Sequence, residues 1–558
     1  LVGSEMCIRD RHTTGGWLLT AVLALCFAAC SNDLLDIEQP GVSGVNTYIT
    51  ANDNQVKQYI SAVYSSILGN SYQSVIVGGG EPASYRSVLY EMSRMGAECA
   101  AEYQYNEASD ANTYAYIYSY YYRQAYWCSM IIEHLPNNNV ATESLKERVI
   151  AEARAIRAIA MMNLVQLYGN PPLADHILDG SEGNTPASES WQFIENELKD
   201  AAEILPSKNS ADGQAEIGGR LTREAAYAYL GKAQLWQKKY DEAAQTLYNK
   251  VIATKKYVLV DNFATLNTSA NDFSSENIWE YNFADGADVQ NSQDGSFDLA
   301  CYSADLGVYS TTYGSLLMTF GMGAYPSKNF ADFMTAHDMT STGTSPRFQG
   351  TLADYPTALM SYQAMFMNYP YVITGCQGYY RVKDLCQTND LVGTFPFFYS
   401  KRNVPYMRYA EVLLNYAEAV AEGGTPGPEL SGLEALNLVR HRAGLTDAPS
   451  LSMDDASYGV KAERRAELFG EGQRFIDLVR WGDAATVLAN CGKQTYTCTI
   501  TQGETINVPG VGDITTYKTE VTTSETGTIS FKTGKNELFP IPASDVNNNS
   551  MLNQNPGW

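Results

Sequence analysis

Two carboxylates, Glu463 and Glu467, are four residues apart in a segment with helical spacing, which predicts that both lie on one face of a helix. Glycoside hydrolysis uses such a pair of acids, one of them protonated. Here Arg464 and Arg465 are immediate neighbours, and guanidinium groups favour the ionised form of both acids. The pair therefore predicts structural ion pairs, and we expect no enzyme activity.

The other reactive side chains also lack a catalytic or metal-binding spacing. The histidines His134, His176, His337 and His441 are scattered, and the cysteines show no Cys-x-x-Cys or Cys/His pattern typical of zinc. Gly78–Gly80 lacks the following Lys and Ser of a phosphate loop. We therefore expect neither a metal nor a cofactor.

One apolar run, Trp17–Ala29, is too short to cross a bilayer as a helix, which takes about 20 residues. Arg9 and Arg11 precede it, so residues 1–29 are interpreted as a signal peptide. Residues 1–11 do not have the usual pattern of a leader, and they are left out of the fold argument as a doubtful start.

Cys30 follows this run directly after two alanines, a pattern that resembles the lipobox of bacterial lipoproteins. The pattern predicts cleavage before Cys30 and lipid on its thiol. Cys26 is a weaker alternative because Leu25 precedes it, and an ordinary secretory signal with an incidental cysteine is a further alternative.

Seven cysteines follow Cys30. Cys376 with Cys386, and Cys491 with Cys498, are close enough in sequence to close surface loops in an oxidising compartment. Sequence alone does not determine the connectivity, which stays open.

The composition is that of a globular, acidic protein. The 558 residues are 45% hydrophobic and carry a formal net charge of −24, which repels phosphate backbones and excludes nucleic acid as the expected partner. Tyrosine is abundant, at 39 residues against 18 phenylalanines. Its apolar ring and hydroxyl suit wet binding surfaces, although most of these side chains are expected to be half-buried in helix packing.

The elements that position these residues are mainly helical. Residues 30–50 read as a lipidated tether, residues 51–258 as an N-terminal helical region, and residues 259–558 as a C-terminal region with loops and a late β insertion over Cys491–Phe531. The two regions are expected to form one compact unit. Apolar residues at helical spacing predict helices over Asp53–Leu68, Ala111–Leu135, Thr142–Tyr168, Glu189–Leu205, Thr222–Thr254, Met407–Glu422 and Leu433–Arg442.

A repeat signal lies within the fifth of these segments. Leu230, Gly231, Tyr240, Ala243 and Leu247 have the spacing of a tetratricopeptide unit, whose small residues let two helices approach closely. The sequence therefore predicts a mainly α fold with tetratricopeptide-like helix pairs.

Five ordered blocks resemble those of the SusD/RagB family. They are Ala151–Leu173, Tyr409–Glu418, Ala435–Leu445, Glu463–Gly482, and Leu538–Pro542 with Asn553–Trp558. The departures are small, with Asp545 where the family commonly has Glu and a terminal Trp558.

The resemblance implies an outward-facing lipoprotein of the Bacteroidetes outer membrane, anchored by lipid on Cys30. Such proteins are not enzymes; they capture glycan and deliver it to a SusC-like TonB-dependent transporter. The implied fold is a right-handed superhelical frame of helix pairs with a loop-rich ligand-binding half and a few short strands.

Within these blocks, charged and aromatic residues are expected to be structural: Arg154, Arg157, Glu463, Arg464, Glu467, Arg474 and Trp481. Arg154 and Arg157 lie on one helix face and would pair with the acids of the Glu463 block, or those acids would pair with arginines of their own block.

The resemblance places ligand contacts in the irregular segments, where two stretches combine tyrosines with planar polar side chains. The candidate ligand residues are Tyr72, Tyr85, Arg86, Tyr103, Tyr105, Asp298, Tyr302, Tyr309, Tyr313 and Tyr325. Trp279 is interpreted instead as part of a buried strand. Three alternatives stay open: a RagB-like peptide-binding component, a scaffold that binds only protein, and a glycosidase.

Overall fold

The computed structural model describes residues 45–68, 88–89, 92–93, 95–98, 107–209, 219–266, 268–282, 308–310, 315–317, 325–357, 370–383, 390–394, 397–400, 402–489, 494–509, 512–525 and 531–558. In the described part of the N-terminal region the helices are α1 Val45–Thr50, α2 Asp53–Leu68, α3 Glu107–His134, α4 Glu143–Tyr168, α5 Ala187–Ile204, α6 Arg223–Trp236 and α7 Tyr240–Lys250. Among the described residues after α7, the helices are α8 Lys328–His337, α9 Pro346–Thr351, α10 Tyr409–Ala421, α11 Gly432–Arg442, α12 Val460–Glu467, α13 Gln473–Trp481, α14 Ala484–Val487 and α15 Ala543–Asn548.

Local sequence signals explain several helix ends. Ser431 and Glu434 form a capping box at the start of α11, where Ser431 Oγ accepts from the Glu434 N–H at 3.2 Å. Thr222 caps α6 in the same sense, accepting from Ala225 N–H at 3.3 Å. Thr142 lies at the N-cap of α4 as predicted, but its hydroxyl donates to Asp53 of α2 at 2.7 Å instead of capping its own helix.

The helices pack as a consecutive array. α3 packs on α4, α4 on α5, α5 on α6, α6 on α7, α7 on α10 and α10 on α11. The α6–α7 pair is the predicted tetratricopeptide-like unit: a Cβ added to Gly231 would lie 2.5 Å from Leu247 Cδ2, so only glycine permits this approach. The predicted mainly α fold built from helix pairs is confirmed.

The strands are short, apart from one hairpin. They are β1 Asn277–Tyr281, β2 Val308–Ser310, β3 Ser315–Leu317, β4 Met339–Thr340, β5 Gly343–Thr344, β6 Leu352–Asp354, β7 Tyr371–Thr374, β8 Tyr379–Arg381, β9 Leu391–Thr394, β10 Phe397–Ser400, β11 Val404–Arg408, β12 Gln494–Val508 and β13 Gly512–Glu525. The antiparallel pairs are β1–β11, β2–β3, β4–β5, β6–β8 and β9–β10. Trp279 is buried in β1, as interpreted from the sequence.

The late β insertion forms the hairpin β12–β13, as predicted from its β-branched alternation. A feature the sequence did not show is a third strand: β7 pairs antiparallel with β12, so the hairpin belongs to a three-stranded sheet in the order β13-β12-β7. This pairing joins segments more than 100 residues apart in the chain.

The largest hydrophobic cluster takes residues from Tyr48 to Leu552, so both the N-terminal and the C-terminal regions contribute to it. Residues 45–50 differ from the expected tether. They form α1, in which Tyr48 is buried, and Asn138 Nδ2 donates to the carbonyls of Tyr48 and Ala51 at 2.7 and 2.8 Å. Across the described residues, no helix combines the length and the apolar character needed to cross a membrane.

Candidate functional site

One face of α3 lines a groove in the described part of the chain. Tyr118, Tyr122 and Tyr126 are spaced four residues apart, so their side chains share that face. Tyr118 and Tyr122 have ring centroids 4.6 Å apart, and the Tyr122 hydroxyl donates to the carbonyl of Pro172 at 2.6 Å. Tyr126 is 43% exposed, so the face opens to solvent along the helix.

The opposite wall comes from the segment after α4. Gly169 ends that helix at φ +73°, and Pro171 and Pro172 continue the chain in a non-helical course. Arg157 Nη1 then holds the segment by donating to the carbonyl of Asp175 at 2.9 Å. Helix α4, which lies partly in the block Ala151–Leu173, thus also positions this wall.

The C-terminal segment closes the third side. Asn549 Nδ2 donates to the carbonyl of Glu182 at 2.8 Å, which joins the end of α15 to the wall segment. The Glu182 carboxylate accepts from the N–H groups of Asp179 and Gly180, both at 2.9 Å. The three sides are therefore tied together by hydrogen bonds.

The resulting groove has a volume of about 540 Å³, within the range of about 300–1,000 Å³ typical of small-molecule sites. Its apolar part consists of tyrosine, proline and leucine side chains. Its polar lining consists of Ser119, Arg123, His176, Glu182, Asp545, Asn548 and Asn549. Aromatic faces with planar polar groups around them suit a ligand that has apolar C–H faces and a rim of hydroxyls.

The rim of the groove is charged at neutral pH. The pKa of His176 is raised, chiefly because its Nδ1 bonds to Asp175 at 2.5 Å, and Glu182 lies 3.3 Å from Nε2. Partial burial raises the pKa of Glu182, but the backbone N–H groups that it accepts lower it further, so its pKa is below the ordinary value. Ionised Glu182 therefore favours protonated His176.

An exposed aromatic pair lies at the solvent end of the groove. The Tyr126 and Trp127 rings are 5.3 Å apart in an edge-on arrangement, and the two residues are 43% and 38% exposed. Large aromatic side chains left in water are typical of binding surfaces.

The sequence did not single out this groove. The four-residue spacing of Tyr118, Tyr122 and Tyr126 was a readable signal, but such a stripe is usually core. The two facing walls come from residues 172–182 and 545–552, and their proximity depends on the tertiary fold.

Most of the predicted ligand residues lie outside the described residues, namely Tyr72, Tyr85, Arg86, Tyr103, Tyr105, Asp298, Tyr302 and Tyr313. Cys30 and the predicted signal peptide lie outside them as well. Tyr309 lies in β2, where its backbone pairs with Leu316 of β3. Tyr325 is half-buried, and its ring lies 6.5 Å from that of Tyr355. Neither Tyr309 nor Tyr325 lines the groove.

Arg154 and Arg157 pair with α5 and not with the Glu463 block. Arg157 Nη2 lies 2.8 Å from Glu197 Oε2, and Arg154 Nη1 lies 2.8 Å from Asp200 Oδ2. Arg154 is a third exposed, whereas Arg157 is buried. These pairs join consecutive helices of the array.

Glu463 and Glu467 bind arginines from elsewhere in the chain and not their sequence neighbours Arg464 and Arg465. Their partners are Arg347, Arg408, Arg440 and Arg442. Burial alone would raise the pKa of Glu467, but Arg442, Arg408 and Arg347 outweigh it and lower the pKa to about 2. This is the opposite of what a general acid requires.

The remaining residues of this block form a second buried network. Arg464 bonds to both oxygens of Asp477, at 2.9 and 3.0 Å, and Trp481 Nε1 donates to Glu418 at 2.9 Å. Arg474 is half-buried, and desolvation lowers its pKa despite the nearby acid Glu98. Within the ranges the structure describes, no three His, Cys, Asp or Glu side chains group in a way that would hold a metal ion.

The fold and groove define a class: a helical-repeat protein with an open groove lined by aromatic and polar side chains. Comparison with known families places it further. Residues 388–558 match the model described as the SusD family, and residues 47–235 match the model described as starch-binding associating with outer membrane. The chain belongs to the SusD/RagB family.

Individual relatives agree with this placement. A SusD-like protein of Formosa agariphila is 23% identical over 475 residues, which cover 77% of this chain and 83% of that one. A SusD-like protein of Bacteroides ovatus is 23% identical over 500 residues, covering 83% and 82%.

Solved structures show the same fold. A laminarin-binding SusD-like protein is 25% identical with a TM-score of 0.65, and the match covers 91% of this chain and all of that one. Surface glycan-binding protein A from Bacteroides fluxus is 22% identical with a TM-score of 0.64, covering 90% and 99%.

Proposed function

We propose that this protein captures oligosaccharide at the cell surface, without turnover, and delivers it to a SusC-like TonB-dependent transporter. The observation that carries the proposal is the likeness to a laminarin-binding SusD-like protein over that protein's whole length. The ion-paired Glu463 and Glu467 support binding over hydrolysis, because a buried glutamate with a pKa of about 2, such as Glu467, cannot donate a proton at neutral pH.

The charge of the protein favours a neutral glycan as ligand. With a formal net charge of −24, the surface repels anionic polysaccharides over distances of about a Debye length. A neutral oligosaccharide pays no such penalty, and its hydroxyls match the amide, carboxylate and guanidinium groups around the tyrosines of the groove.

Two regions of this chain are proposed to contact the ligand. The first is the predicted loop surface with its ten residues, Tyr72, Tyr85, Arg86, Tyr103, Tyr105, Asp298, Tyr302, Tyr309, Tyr313 and Tyr325. The second is the groove beside α3, which has the aromatic face and the polar rim that a sugar needs. Separate variants in each region distinguish them.

The anchor is proposed to be lipid on Cys30, in the outer leaflet of the outer membrane and facing outward. One acyl chain binds a membrane only reversibly, so stable attachment requires the several chains that a lipobox implies. The first described element, α1, begins at Val45, so residues 31–44 separate Cys30 from that helix in the sequence. The Cys30→Ala protein should then support less glycan uptake than the native protein.

The test of binding is a glycan array followed by calorimetry with purified protein. We expect saturable binding to a neutral oligosaccharide and no release of reducing sugar. No affinity for any polysaccharide, together with peptide found by mass spectrometry in the purified protein, would replace this proposal with the RagB-like peptide alternative. Delivery is tested separately, by co-purification with a SusC-like transporter. Glycan binding without that association would contradict the proposed transporter partner but not the proposed glycan ligand.

A further inference from the structure

A second, smaller core cluster lies beneath the three-stranded sheet and contains two cysteines. Its buried members are Tyr355, Ile373, Cys376, Tyr380, Cys498 and Ile500. Cys376 lies two residues after the end of β7, and Cys498 lies within β12, the strand that pairs with β7.

Backbone geometry brings the two thiols together. In the β7–β12 pairing, Cys498 lies opposite Ile373. The chain then turns at Gly375, which has φ +80° and whose N–H donates to the carbonyl of Tyr496 at 2.8 Å. After this turn the free thiols of Cys376 and Cys498 lie in the same buried cluster and interact with each other.

Both cysteines are fully buried. Burial raises the pKa of the Cys376 thiol, and the surrounding cluster shields both sulfur atoms from outside reagents. Gly378 N–H contacts Cys376 Sγ at 3.4 Å and helps to fix its position. A buried and mutually oriented pair of this kind suits a permanent structural bond and not a catalytic or sensing cysteine.

We propose that Cys376 and Cys498 form a structural disulfide in the exported protein, which fastens the β12–β13 hairpin to β7. Two thiols lose two protons and two electrons as the S–S bond forms, and a disulfide-bearing oxidant such as oxidised glutathione or a thiol–disulfide oxidoreductase is reduced to two thiols. The bond forms during folding, before the cluster closes. It replaces the two pairings considered from sequence, whose other members, Cys386 and Cys491, lie outside the described residues.

The pairing has a structural consequence because β7 is only four residues long, whereas β12 and β13 have 15 and 14 residues. A bond at this point closes a loop of about 120 residues, and closing long loops restricts the unfolded chain strongly. It also keeps the base of the hairpin in register when the strands fray.

Tryptic peptide mapping tests the pairing directly, because trypsin places the four relevant cysteines in different peptides. Cys376 lies in Phe348–Arg381, Cys386 in Asp384–Lys401, Cys491 in Trp481–Lys493 and Cys498 in Gln494–Lys518. The full chain is folded with oxidised glutathione, free thiols are blocked with iodoacetamide under denaturing conditions, and the digest is analysed without reductant. We expect Phe348–Arg381 linked to Gln494–Lys518. Both peptides alkylated, or either one linked to another cysteine, overturns the proposal.

A stability measurement separates a structural bond from an accidental one. Dithiothreitol should lower the melting temperature of the native protein and leave that of the Cys376→Ala/Cys498→Ala double variant unchanged. Cys128→Ala is the matched control, because Cys128 is a buried free thiol in α3, and this variant should keep the full sensitivity to reductant. Equal melting temperatures of the native protein with and without reductant, despite a mapped bond, would overturn the fastening role.

The proposal rests on export to an oxidising compartment, but its test does not, since the protein is oxidised in vitro. Glycan binding by the same preparation is measured in parallel. Binding without the mapped disulfide overturns this inference alone, and the mapped disulfide without glycan binding overturns the proposed function alone.

Discussion

Arg347 and Asp338 form a two-point ion pair in the interior: Arg347 Nε donates to Asp338 Oδ2 at 2.9 Å and Nη2 donates to Oδ1 at 2.8 Å. Both side chains are fully buried. Arg347 also forms ion pairs with Glu463 and Glu467. One arginine therefore joins the region around α8 and α9 to α12. Because its partners are buried carboxylates, removing the Arg347 charge is expected to lower the free energy of unfolding strongly.

The first prediction concerns this arginine. Arg347→Met leaves three buried carboxylates with less compensation, and we expect a loss of about 3–5 kcal/mol in the free energy of unfolding. Arg154→Met is the matched control, because Arg154 is a third exposed and its nearer partner Asp200 is largely exposed. Its second partner, the buried Glu197, lies farther away at 3.6 Å and keeps its pair with Arg157, so the loss should stay within about 1 kcal/mol. Urea unfolding followed by circular dichroism measures both. Equal losses for the two variants would contradict the role of burial.

The second prediction concerns a close helix approach, between Gly231 of α6 and Leu247 of α7. Alanine favours a helix over glycine by about 1 kcal/mol, but its Cβ would lie 2.5 Å from both Leu247 Cδ2 and Leu247 Cγ. Overpacking typically costs about 1–3 kcal/mol, so we expect Gly231→Ala to lower the melting temperature.

A double-mutant cycle with Leu247→Ala checks that the clash is the cause. Truncating Leu247 removes the atoms that the new methyl would meet, so Gly231→Ala should cost less, or stabilise, in the Leu247→Ala background. Additive effects of the two substitutions would mean that the helices do not meet at this point.

The third prediction is a pH dependence that comes from Glu280. Burial, together with Asp272, raises the pKa of Glu280 from 4.5 to about 7, although Asn277 donates to it at 2.6 Å and Lys208 lies near. A raised acid pKa means that the folded state holds its proton more tightly. The contribution of protonated Glu280 to the free energy of unfolding is fully present below pH 4.5 and is lost as the pH rises through 7.

In the native protein, Glu280 should therefore lower the free energy of unfolding by up to about 3 kcal/mol as the pH rises from 4.5 to 7, and Glu280→Gln should abolish this contribution. Buried Glu98 has a pKa raised in the same way to about 7, so the variant should flatten the pH profile of stability without abolishing its slope. The exposed control Glu147→Gln should leave the profile unchanged. Melting temperatures across this pH range give the comparison, and parallel profiles of the native protein and Glu280→Gln would refute the prediction.

The helices could be predicted from the sequence because their signals are local. The apolar spacing in Asp53–Leu68 gave that helix its observed bounds, and Gly169 with the following prolines marked the end of α4. The partners of Glu463 could not be predicted, since Arg347 is 116 residues away in the chain. The adjacent Arg464 was the obvious candidate, but on a helix successive side chains point in different directions, and Arg464 binds Asp477.

The difference between local signals and long-range contacts also explains why the groove was not predicted from the sequence. The spacing of the α3 tyrosines was visible, but one helix face does not show what lies opposite. The wall at Glu182 and the closure by Asn549 come from segments joined only by tertiary hydrogen bonds. The pairing of β7 with β12 was likewise invisible, because strand partners that are distant in sequence leave no local pattern.

The fourth prediction assigns ligand contact to Tyr126. Its exposed ring beside the groove offers a platform for a sugar face, and aromatic contacts of this kind contribute about 0.5–1.5 kcal/mol beyond their buried area. Tyr126→Ala should weaken oligosaccharide binding about tenfold, a change of roughly 1.4 kcal/mol. Tyr126→Phe keeps the ring and should bind almost as tightly as the native protein.

The control is Tyr371→Ala, which removes another exposed tyrosine, in β7 and outside the groove, and should not change the dissociation constant. Calorimetry with the best ligand from the glycan array measures all three variants, and unchanged melting temperatures exclude unfolding. If Tyr126→Ala binds normally while Tyr72→Ala or Tyr302→Ala does not, the ligand sits on the predicted loops and not in the groove. The groove then loses its proposed role, because its rim and its aromatic face would have no ligand to contact.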